Sequence, residues 1–463
     1  MTVTPLDSSV LRTATGLARF RHRAAVNNLL TMARRWRARL MFAVFDQGAA
    51  STANFLQTIL YAVWLPLDDF GRYVIVWSIS LLVENAQVSV IMDTMPAVVS
   101  RFGQRNRQRL DSAGAWIVMI YGALVSLLIL AALPFVALFA PAFVLPLLCL
   151  AAANPSQRLY IFLRRLCYIR DRQDIAATGS FFYALTLLGG AFALLKLGLL
   201  SVEAAILLWG LANLVAVVAI RLMGVVCFRA TRRVVIVWLA RKLWVSGRWL
   251  GGAAIGFWIS TWGLFPIIAA MAGTEVAGIV RALQNLFTPI VQFNAAINLA
   301  ILPRVADKIV AVGPHYARKF ALYATAAFTA SVVFYGALVM IESKPLLALI
   351  YRKPEIADAA YLLWPLGLAM ILESSRQGSS IALLAMSRTQ MFFWSRVVGI
   401  SAFLLSALLL GHAMGADGIL WANVIAQAIG TSVLMIEAAR IHSPQTAEHD
   451  IAAGRLLERK VNA

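Results

Sequence analysis

Four arginines lie inside strongly apolar stretches of this sequence, where a charged side chain is costly. They are Arg158, Arg281, Arg376 and Arg396. Placing an arginine at the centre of a bilayer costs about 2.5–3.5 kcal/mol, so each should face a hydrated cavity or an acidic partner rather than lipid. Guanidinium groups form bidentate hydrogen bonds with carboxylates and phosphates, so the set favours a cationic cavity that binds an anionic group. A fifth, Arg221, lies near a predicted helix end and should extend its charge to the membrane surface.

Polar residues with helical spacing surround one of these arginines. Four of them recur every three or four positions and therefore share one helix face: Arg281, Asn285, Thr288 and Gln292. Pro289 interrupts the same segment, and a proline in a spanning helix frees a carbonyl group that a neighbour or a cavity must satisfy. The pattern predicts a helix with one face on a polar cavity.

Other polar residues are expected to line the same cavity. Gln377 follows Arg376 in a second predicted helix, and Asn54 and Gln57 lie on adjoining faces of the first predicted helix. Amides inside a membrane also serve as hydrogen bonds between helices, and this alternative stays open.

Four acidic residues within or beside the apolar stretches are candidates for cation coupling: Asp46, Glu84, Asp93 and Glu373. A carboxylate in a low-dielectric setting can exchange a proton, unless a nearby arginine keeps it ionised. The alternative is that these acids form ion pairs that orient the arginines. The sequence leaves both readings open.

The composition identifies the broad class of protein. Of 463 residues, 61% are hydrophobic and 13% are charged, and the mean hydropathy is +0.78. Soluble domains are about half apolar, so the excess must face lipid and a soluble enzyme is excluded. The three cysteines form no CxxC pair, the five histidines are scattered, and no HExxH, P-loop or GxSxG motif is present. We therefore predict no catalytic residue, no cofactor and no metal site.

Apolar windows of spanning length predict an all-α polytopic membrane protein with about 12 transmembrane helices. The windows are 42–65, 70–100, 112–134, 141–163, 175–198, 203–226, 249–272, 276–303, 320–341, 359–386, 391–411 and 416–438. We expect an N-lobe of helices 1–6 over 42–226 and a C-lobe of helices 7–12 over 249–438. A basic cytoplasmic connector over 227–248 joins them, and cytoplasmic tails over 1–41 and 439–463 flank them.

Lysine and arginine concentrate on one predicted side of the membrane. With the N-terminus inside, 31 of the 41 basic residues fall in predicted cytoplasmic segments and five in outer ones. Cationic loops are retained in the cytoplasm, so both termini should be cytoplasmic and the protein should lie in the cell (inner) membrane. The net charge of +20 is spread over one membrane face, which favours anionic inner-leaflet lipids as partners and excludes nucleic acid. The tail over 1–41 is either flexible or an amphipathic helix on that leaflet.

Equal spacings between landmark residues indicate an internal repeat. Pairs at an offset of 207 occur in the first part of each half: Gly71 and Gly278, Pro96 and Pro303, Arg101 and Lys308. Later the offset becomes 218, as between Arg158 and Arg376, and the polar insertion YRKPEIADAA accounts for the difference. Both halves begin on the cytoplasmic side, so we expect two parallel six-helix repeats around a central cavity, related by an axis along the membrane normal.

Two stretches resemble a known family of transporters. FDQGAASTANFLQTILYAVWLPLDDFGRY, over 45–73, is similar to the first helix and the FG-containing start of the second helix in Wzx-type polysaccharide and O-antigen flippases. RLYIFLRRLCYIRDRQ, over 158–173, resembles the arginine-rich end of their fourth helix. These proteins form the polysaccharide transporter branch of the multidrug/oligosaccharidyl-lipid/polysaccharide (MOP) exporter superfamily. The resemblance covers about residues 42–438.

The resemblance implies a function. Such proteins carry a polyprenyl-pyrophosphate oligosaccharide from the inner to the outer leaflet by alternating access, for the biosynthesis of lipopolysaccharide or exopolysaccharide. It implies a lipid-linked oligosaccharide as substrate and a polysaccharide polymerase or export machinery as partner. The headgroup site would then consist of Arg281, Arg376, Arg158 and Arg396.

Two other functions stay open. A multidrug or cation antiporter of the same superfamily would share the architecture but would favour an acidic cavity. An integral-membrane glycan polymerase or ligase would need a sizeable outer domain, and the longest predicted outer segment, over 342–358, has only seventeen residues.

Overall fold

The structure is a computed structural model that describes residues 39, 41–99, 102, 104–224, 231–386 and 389–440. All regular secondary structure in these ranges is helical. The tails predicted over 1–41 and 439–463, including any amphipathic helix in the first, lie almost entirely outside the described residues.

Six long helices form the first half of the described chain. They are α1 over 41–64, α2 over Leu67–Gln87, α3 over Gln104–Phe139, α4 over Val144–Ile169, α5 over Gln173–Lys196 and α6 over Val202–Leu222. We call α1–α6 the N-terminal group. α2 continues into a π-helical turn over Val88–Met92 and is followed by a short helix over Met95–Val99.

The second half has the same number of long helices, of which three are interrupted. They are α7 over Arg233–Thr261 and Leu264–Ala272, α8 over Thr274–Asn285 and Thr288–Val312, α9 over Pro314–Ile341, α10 over Leu363–Ser375 and Gln377–Ala385, α11 over 389–414 and α12 over 416–439. Gly415, with a φ of 62°, separates the last two. We call α7–α12 the C-terminal group.

Eight helical runs in the described residues are long and apolar enough to cross a membrane. The chain is therefore an all-α, multi-pass membrane protein. Three long helices are not among the eight, namely α1, α4 and α8, because polar side chains lower their hydropathy. The same three helices carry most of the predicted cavity residues.

Several helix boundaries differ from the predicted ones for local reasons. α3 does not end at Pro134 but runs on to Phe139, because a proline removes only one backbone hydrogen bond and bends a helix without always ending it. The window over 70–100 is not one regular helix, since a π-helical turn follows Gln87. The basic connector predicted over 227–248 is helical from Arg233 and forms the first turns of α7.

The two groups of helices meet along α2, α7 and α8. Inside the N-terminal group, α4 lies at the centre, between α3, α5 and α6. The first segment of α8 packs along α2, whereas α7 packs on α2, on its π-helical turn and on α3. A Cβ atom at Gly247 of α7 would lie 2.7 Å from the backbone of Val90, so α7 approaches that turn very closely. α7, a member of the C-terminal group, thus also packs on the N-terminal group.

The closest contact between the groups joins two residues of the predicted repeat. Gly71 of α2 lies against Gly278 of α8, and a Cβ atom at Gly71 would overlap the carbonyl oxygen of Thr274. In the reciprocal contact, a Cβ atom at Gly278 would lie 2.9 Å from the carbonyl oxygen of Leu67. Leu67 and Thr274 are themselves 207 positions apart. Reciprocal contacts of this kind are what a two-fold axis between α2 and α8 requires.

Further contacts close the same end of the bundle, which is predicted to face outside and is called the outer end below. The hydroxyl group of Thr274 donates to Asp68. The predicted insertion over 351–360 follows a short helix over Ser343–Tyr351 and contains a second one over Pro354–Asp358. Between these helices the Lys353 ammonium donates to the carbonyl oxygen of Leu65. Partial burial lowers the pKa of Lys353. The insertion that separates the two repeat offsets therefore contacts the N-terminal group.

Replacing Gly71 by alanine should destabilise the protein, because the new methyl group would overlap the Thr274 carbonyl and force α2 and α8 apart. Overpacking of this kind costs about 1–3 kcal/mol. The measurement is the melting temperature of the purified protein in detergent. Gly48→Ala in α1 is the matched control, since a Cβ atom there has no neighbour within 4 Å. Equal melting temperatures for the two variants would contradict the contact.

Candidate functional site

Arg158 is fully buried at the centre of the N-terminal group. Its Nη2 atom lies 3.2 Å from the hydroxyl oxygen and 3.4 Å from the carbonyl oxygen of Ser80 on α2. Its Nε and Nη1 atoms have no hydrogen-bond partner in the described part of the chain. No carboxylate there lies within 4.0 Å of this guanidinium, so its charge is held by dipoles alone.

A chain of hydrogen bonds connects Arg158 to the acid predicted on α2. Ser80 Oγ donates to Gln157 Oε1 at 2.7 Å, and Gln157 Nε2 donates to Glu84 Oε2 at 3.0 Å. Gln87 adds a bond of 2.9 Å to the carbonyl oxygen of Arg158. Glu84 is partly exposed and accepts from an amide rather than from an arginine.

Arg281 lies where the two groups meet and is held by aromatic rings. Its guanidinium carbon is 5.0 Å from the ring centroid of Trp77 on α2 and 4.8 Å from that of Trp262, which follows the first segment of α7. Its Nη1 atom donates to Gln284 Oε1 at 2.8 Å. Rings stabilise a guanidinium over its face and leave its N–H edge available for an anion. Neither tryptophan was predicted as part of the site.

Arg376 and Arg396 share one acid inside the C-terminal group. Glu373 accepts from Arg376 Nη1 at 3.1 Å and from Arg396 Nη2 at 3.0 Å. Arg396 also lies over the ring of Phe257 on α7, at 5.0 Å from its centroid. The ion pair that the sequence left as an alternative is therefore present for these two arginines.

The polar face predicted on α8 spans an interruption of that helix. The helix is interrupted at Leu286 and Phe287, whose N–H groups bond three residues back, and this shifts the helical phase. Asn285 is buried and accepts from the Thr288 hydroxyl at 3.2 Å, whereas Gln292 is exposed. The interruption therefore divides the predicted stripe between the two segments of α8.

The remaining candidates predicted in α1 are bonded inside the N-terminal group. Asn54 accepts from the Tyr183 hydroxyl at 2.6 Å, and Gln57 donates to the Tyr73 hydroxyl at 3.1 Å. Gln377, at the interruption of α10, is partly buried.

Asp46 lies in a dense network that the sequence did not indicate. It is buried, and Arg164 on α4 approaches its carboxylate at 2.9–3.1 Å. Tyr168 and Ser180 each donate to it at 2.5 Å. Arg164 follows the predicted window over 141–163, so it was expected at the cytoplasmic end of that helix and not in contact with Asp46. These contacts from Arg164, Tyr168 and Ser180 join α1 to α4 and α5.

Asp93, the fourth acidic candidate, lies after the π-helical turn that follows α2. Its carboxylate is 3.2 Å from Arg165, and both side chains are more than 40% exposed. This is a surface pair, away from the buried arginines.

The structure thus places the four arginines at three locations. Arg158 lies in the N-terminal group, Arg281 lies at the junction, and Arg376 and Arg396 lie in the C-terminal group. Within the described residues, no group of three histidine, cysteine or acidic side chains could hold a metal ion.

Comparison with solved structures identifies the fold. The chain resembles the lipid II flippase MurJ in an inward closed conformation, with a TM-score of 0.63 and 12% identity over 86% of this chain and 87% of that one. It resembles an inward-facing multidrug resistance transporter of the MATE family, with a TM-score of 0.64 and 12% identity over 87% and 94%. It also resembles a MOP superfamily transporter from Pyrococcus furiosus described as having a binding pocket of reversed polarity, with a TM-score of 0.62 and 11% identity over 87% and 95%.

These similarities identify the fold of the chain. The chain has the fold of MOP superfamily transporters, which implies about twelve membrane helices. The similar structures are described as a flippase and as transporters, which is the class that the sequence analysis predicts for this chain. No protein-family model matches the sequence, and no curated protein matches it either.

Replacing Asp46 by alanine should strongly destabilise the protein, because Arg164 would keep a buried charge without its partner. Breaking a buried pair in this way costs about 3–5 kcal/mol. Melting temperatures of Asp46→Ala, Arg164→Ala and the double variant should reveal coupling, with the double variant less damaged than the sum of the two.

The exposed pair Arg172–Asp174 supplies the control, since such pairs contribute about 0–1 kcal/mol. A melting temperature of Asp46→Ala equal to that of Asp174→Ala would disprove the structural role of Asp46.

Proposed function

We propose that the protein is a membrane flippase that moves a polyprenyl-pyrophosphate oligosaccharide from the inner to the outer leaflet by alternating access, for cell-surface polysaccharide biosynthesis. The observation that carries this proposal is the buried positive charge. Arg158 and Arg281 lie in the interior without a carboxylate within 4.0 Å among the described residues. An anionic ligand would compensate this charge.

A pyrophosphate suits this environment chemically. Its charges prevent unaided passage through hydrocarbon, and the planar edge of a guanidinium can replace its water with two parallel hydrogen bonds. Arg281 Nε and the Nε and Nη1 atoms of Arg158 are buried and have no hydrogen-bond acceptor within the described part of the chain. The site therefore comprises Arg281, Arg158, Arg376 and Arg396 in this proposal, with Arg281 and Arg158 favoured by their missing acidic partners.

The competing functions have weaker support. A multidrug or cation antiporter would favour an acidic cavity, whereas Arg158 and Arg281 lie buried without a carboxylate within 4.0 Å among the described residues. A membrane-bound glycan polymerase or ligase would need an outer catalytic domain, whereas the predicted outer segment forms two short helices over Ser343–Tyr351 and Pro354–Asp358.

Glu84 is the best candidate for cation coupling. Of the four acidic candidates, Asp46, Asp93 and Glu373 each form an ion pair with arginine, but Glu84 accepts a hydrogen bond from Gln157. Arg158 and Arg164 act on it only at longer range. Its carboxylate can therefore take up a proton without breaking a direct ion pair within the described residues.

The proposal places the protein in the inner membrane with both termini cytoplasmic. Anionic lipids of the inner leaflet would contact its basic face. A polysaccharide polymerase or export machinery would receive the product.

Replacing Arg281 or Arg158 by alanine should reduce leaflet transfer of a labelled polyprenyl-pyrophosphate oligosaccharide in liposomes by about 10- to 100-fold. One hydrogen bond to a charged group is worth about 1.5–3 kcal/mol, which corresponds to that range. Arg440→Ala is the control, because Arg440 is exposed and paired with Glu437.

The same liposomes should be loaded with a lipophilic cation. Undiminished transfer by a variant would remove that arginine from the site. Efflux of the cation without transfer of the lipid would establish the antiporter function instead.

Glu84→Gln should abolish the response of transfer to an imposed pH difference across the liposome membrane, since glutamine cannot exchange a proton. Asp93→Asn, which alters an exposed ion pair, should keep the response. A full response in Glu84→Gln would exclude Glu84 as the coupling residue.

A further inference from the structure

Arg281 is held from two sides by residues that belong to different groups of helices. Trp262 and Arg281 both lie in the C-terminal group, but Trp77 lies on α2 of the N-terminal group. The two indole rings are 5.2 Å apart between centroids and inclined by 74°, so together they form a corner around the guanidinium. This corner exists only while α2 and α8 are in contact.

The contact that keeps the corner closed lies on the same two helices. Trp77 follows Gly71 by six residues and Arg281 follows Gly278 by three, so the rings lie about one to two helical turns from the glycine pair. Trp262 is anchored separately, since its ring packs on Phe265 at 6.0 Å between centroids. Separation of the outer ends would therefore remove Trp77 from Arg281 while Trp262 stays in place.

A guanidinium enclosed by two rings that are inclined by 74° is restricted in orientation, since it can stack on the face of only one of them. Pre-organisation of this kind raises affinity because less conformational freedom is lost on binding. When one ring leaves, the guanidinium loses part of its stabilisation and part of its restraint. The affinity for an anion should then differ between the closed and the open outer end.

We propose that Trp77 is a positioning residue that sets the anion affinity of Arg281 according to the state of the outer end. This inference rests on the proposed pyrophosphate site. With the outer end closed, both rings orient Arg281 and the anion binds tightly. With the outer end open, Trp77 withdraws and the anion is released. A ligand shifts a conformational equilibrium only through such a difference in affinity, so the anion in turn stabilises the closed outer end.

The first test measures binding of inorganic pyrophosphate by titration calorimetry to the purified full-length protein. Trp77→Met removes the ring but keeps an apolar side chain, and its Kd should rise about tenfold, which corresponds to about 1.4 kcal/mol and lies within the range of one desolvated cation–π contact. Trp77→Phe keeps a ring face and should lie between Trp77→Met and the unaltered protein. Trp364→Met is the control, because Trp364 is an exposed tryptophan on α10.

The second test measures opening of the outer end. Leu67, which is 8% exposed within the outer contact, is replaced by cysteine in a protein whose three native cysteines are changed to alanine. Labelling by a membrane-impermeant maleimide should be faster with Trp77→Met, and pyrophosphate should slow it. In an Arg281→Gln background, Trp77→Met should cause no further increase, because the two residues act through one contact.

The outcomes separate the inference from the function on which it rests. An unchanged Kd in Trp77→Met, or an equal increase in labelling with and without Arg281, would overturn the role of Trp77 even if Arg281→Gln abolishes binding. Failure of the unaltered protein to bind pyrophosphate would instead overturn the proposed substrate class. Should Trp77→Met not fold, the binding and labelling values of Trp77→Phe decide the question.

Discussion

The structure depends on the compensation of the positive charge of arginines that are buried inside a membrane protein. A buried charge must be compensated by an opposite charge or by oriented dipoles and rings, since water is excluded. Arg164, Arg376 and Arg396 are compensated by carboxylates of the same group of helices. Arg158 and Arg281 are held by a hydroxyl, a carbonyl, an amide and two indole rings, and these neutral partners leave the positive charge in place.

The two kinds of compensation distinguish interior charges that are bound in ion pairs from positive charges that a ligand could still neutralise. The network around Asp46 joins α1, α4 and α5 and gives the N-terminal group a rigid polar core. The network around Glu84 has an amide donor and a hydroxyl instead, so its protonation can change without breaking an ion pair. α7 contributes Phe257 and Trp262 to two different arginines while it packs on α2. α7 therefore connects α2 of the N-terminal group with two arginines of the C-terminal group.

Much of the fold could be predicted because hydrophobic windows and the cost of buried charge are properties of the sequence alone. The windows located the long helices, and the arginines inside them indicated the candidate site. Pro289 indicated the interruption of α8, whereas the interruption of α10 at Arg376 could not be predicted from the sequence. Trp77 and Trp262 carry no signal of their own, since an aromatic residue in an apolar window looks like any other packing residue. The contact between Asp46 and Arg164 was not predicted, because basic residues near helix ends were assumed to face the cytoplasm.

The glycine contact has a consequence for the origin of the molecule. Gly71 touches the backbone of the segment that begins at Thr274, and Gly278 touches the equivalent segment that begins at Leu67. An interface in which each surface meets its own counterpart is self-complementary, which is the property of a symmetric homodimer. A six-helix ancestor with one such glycine could have paired with a second copy of itself before gene duplication joined the two. The contact between Gly71 and Gly278 would then mark the former symmetry axis of that dimer.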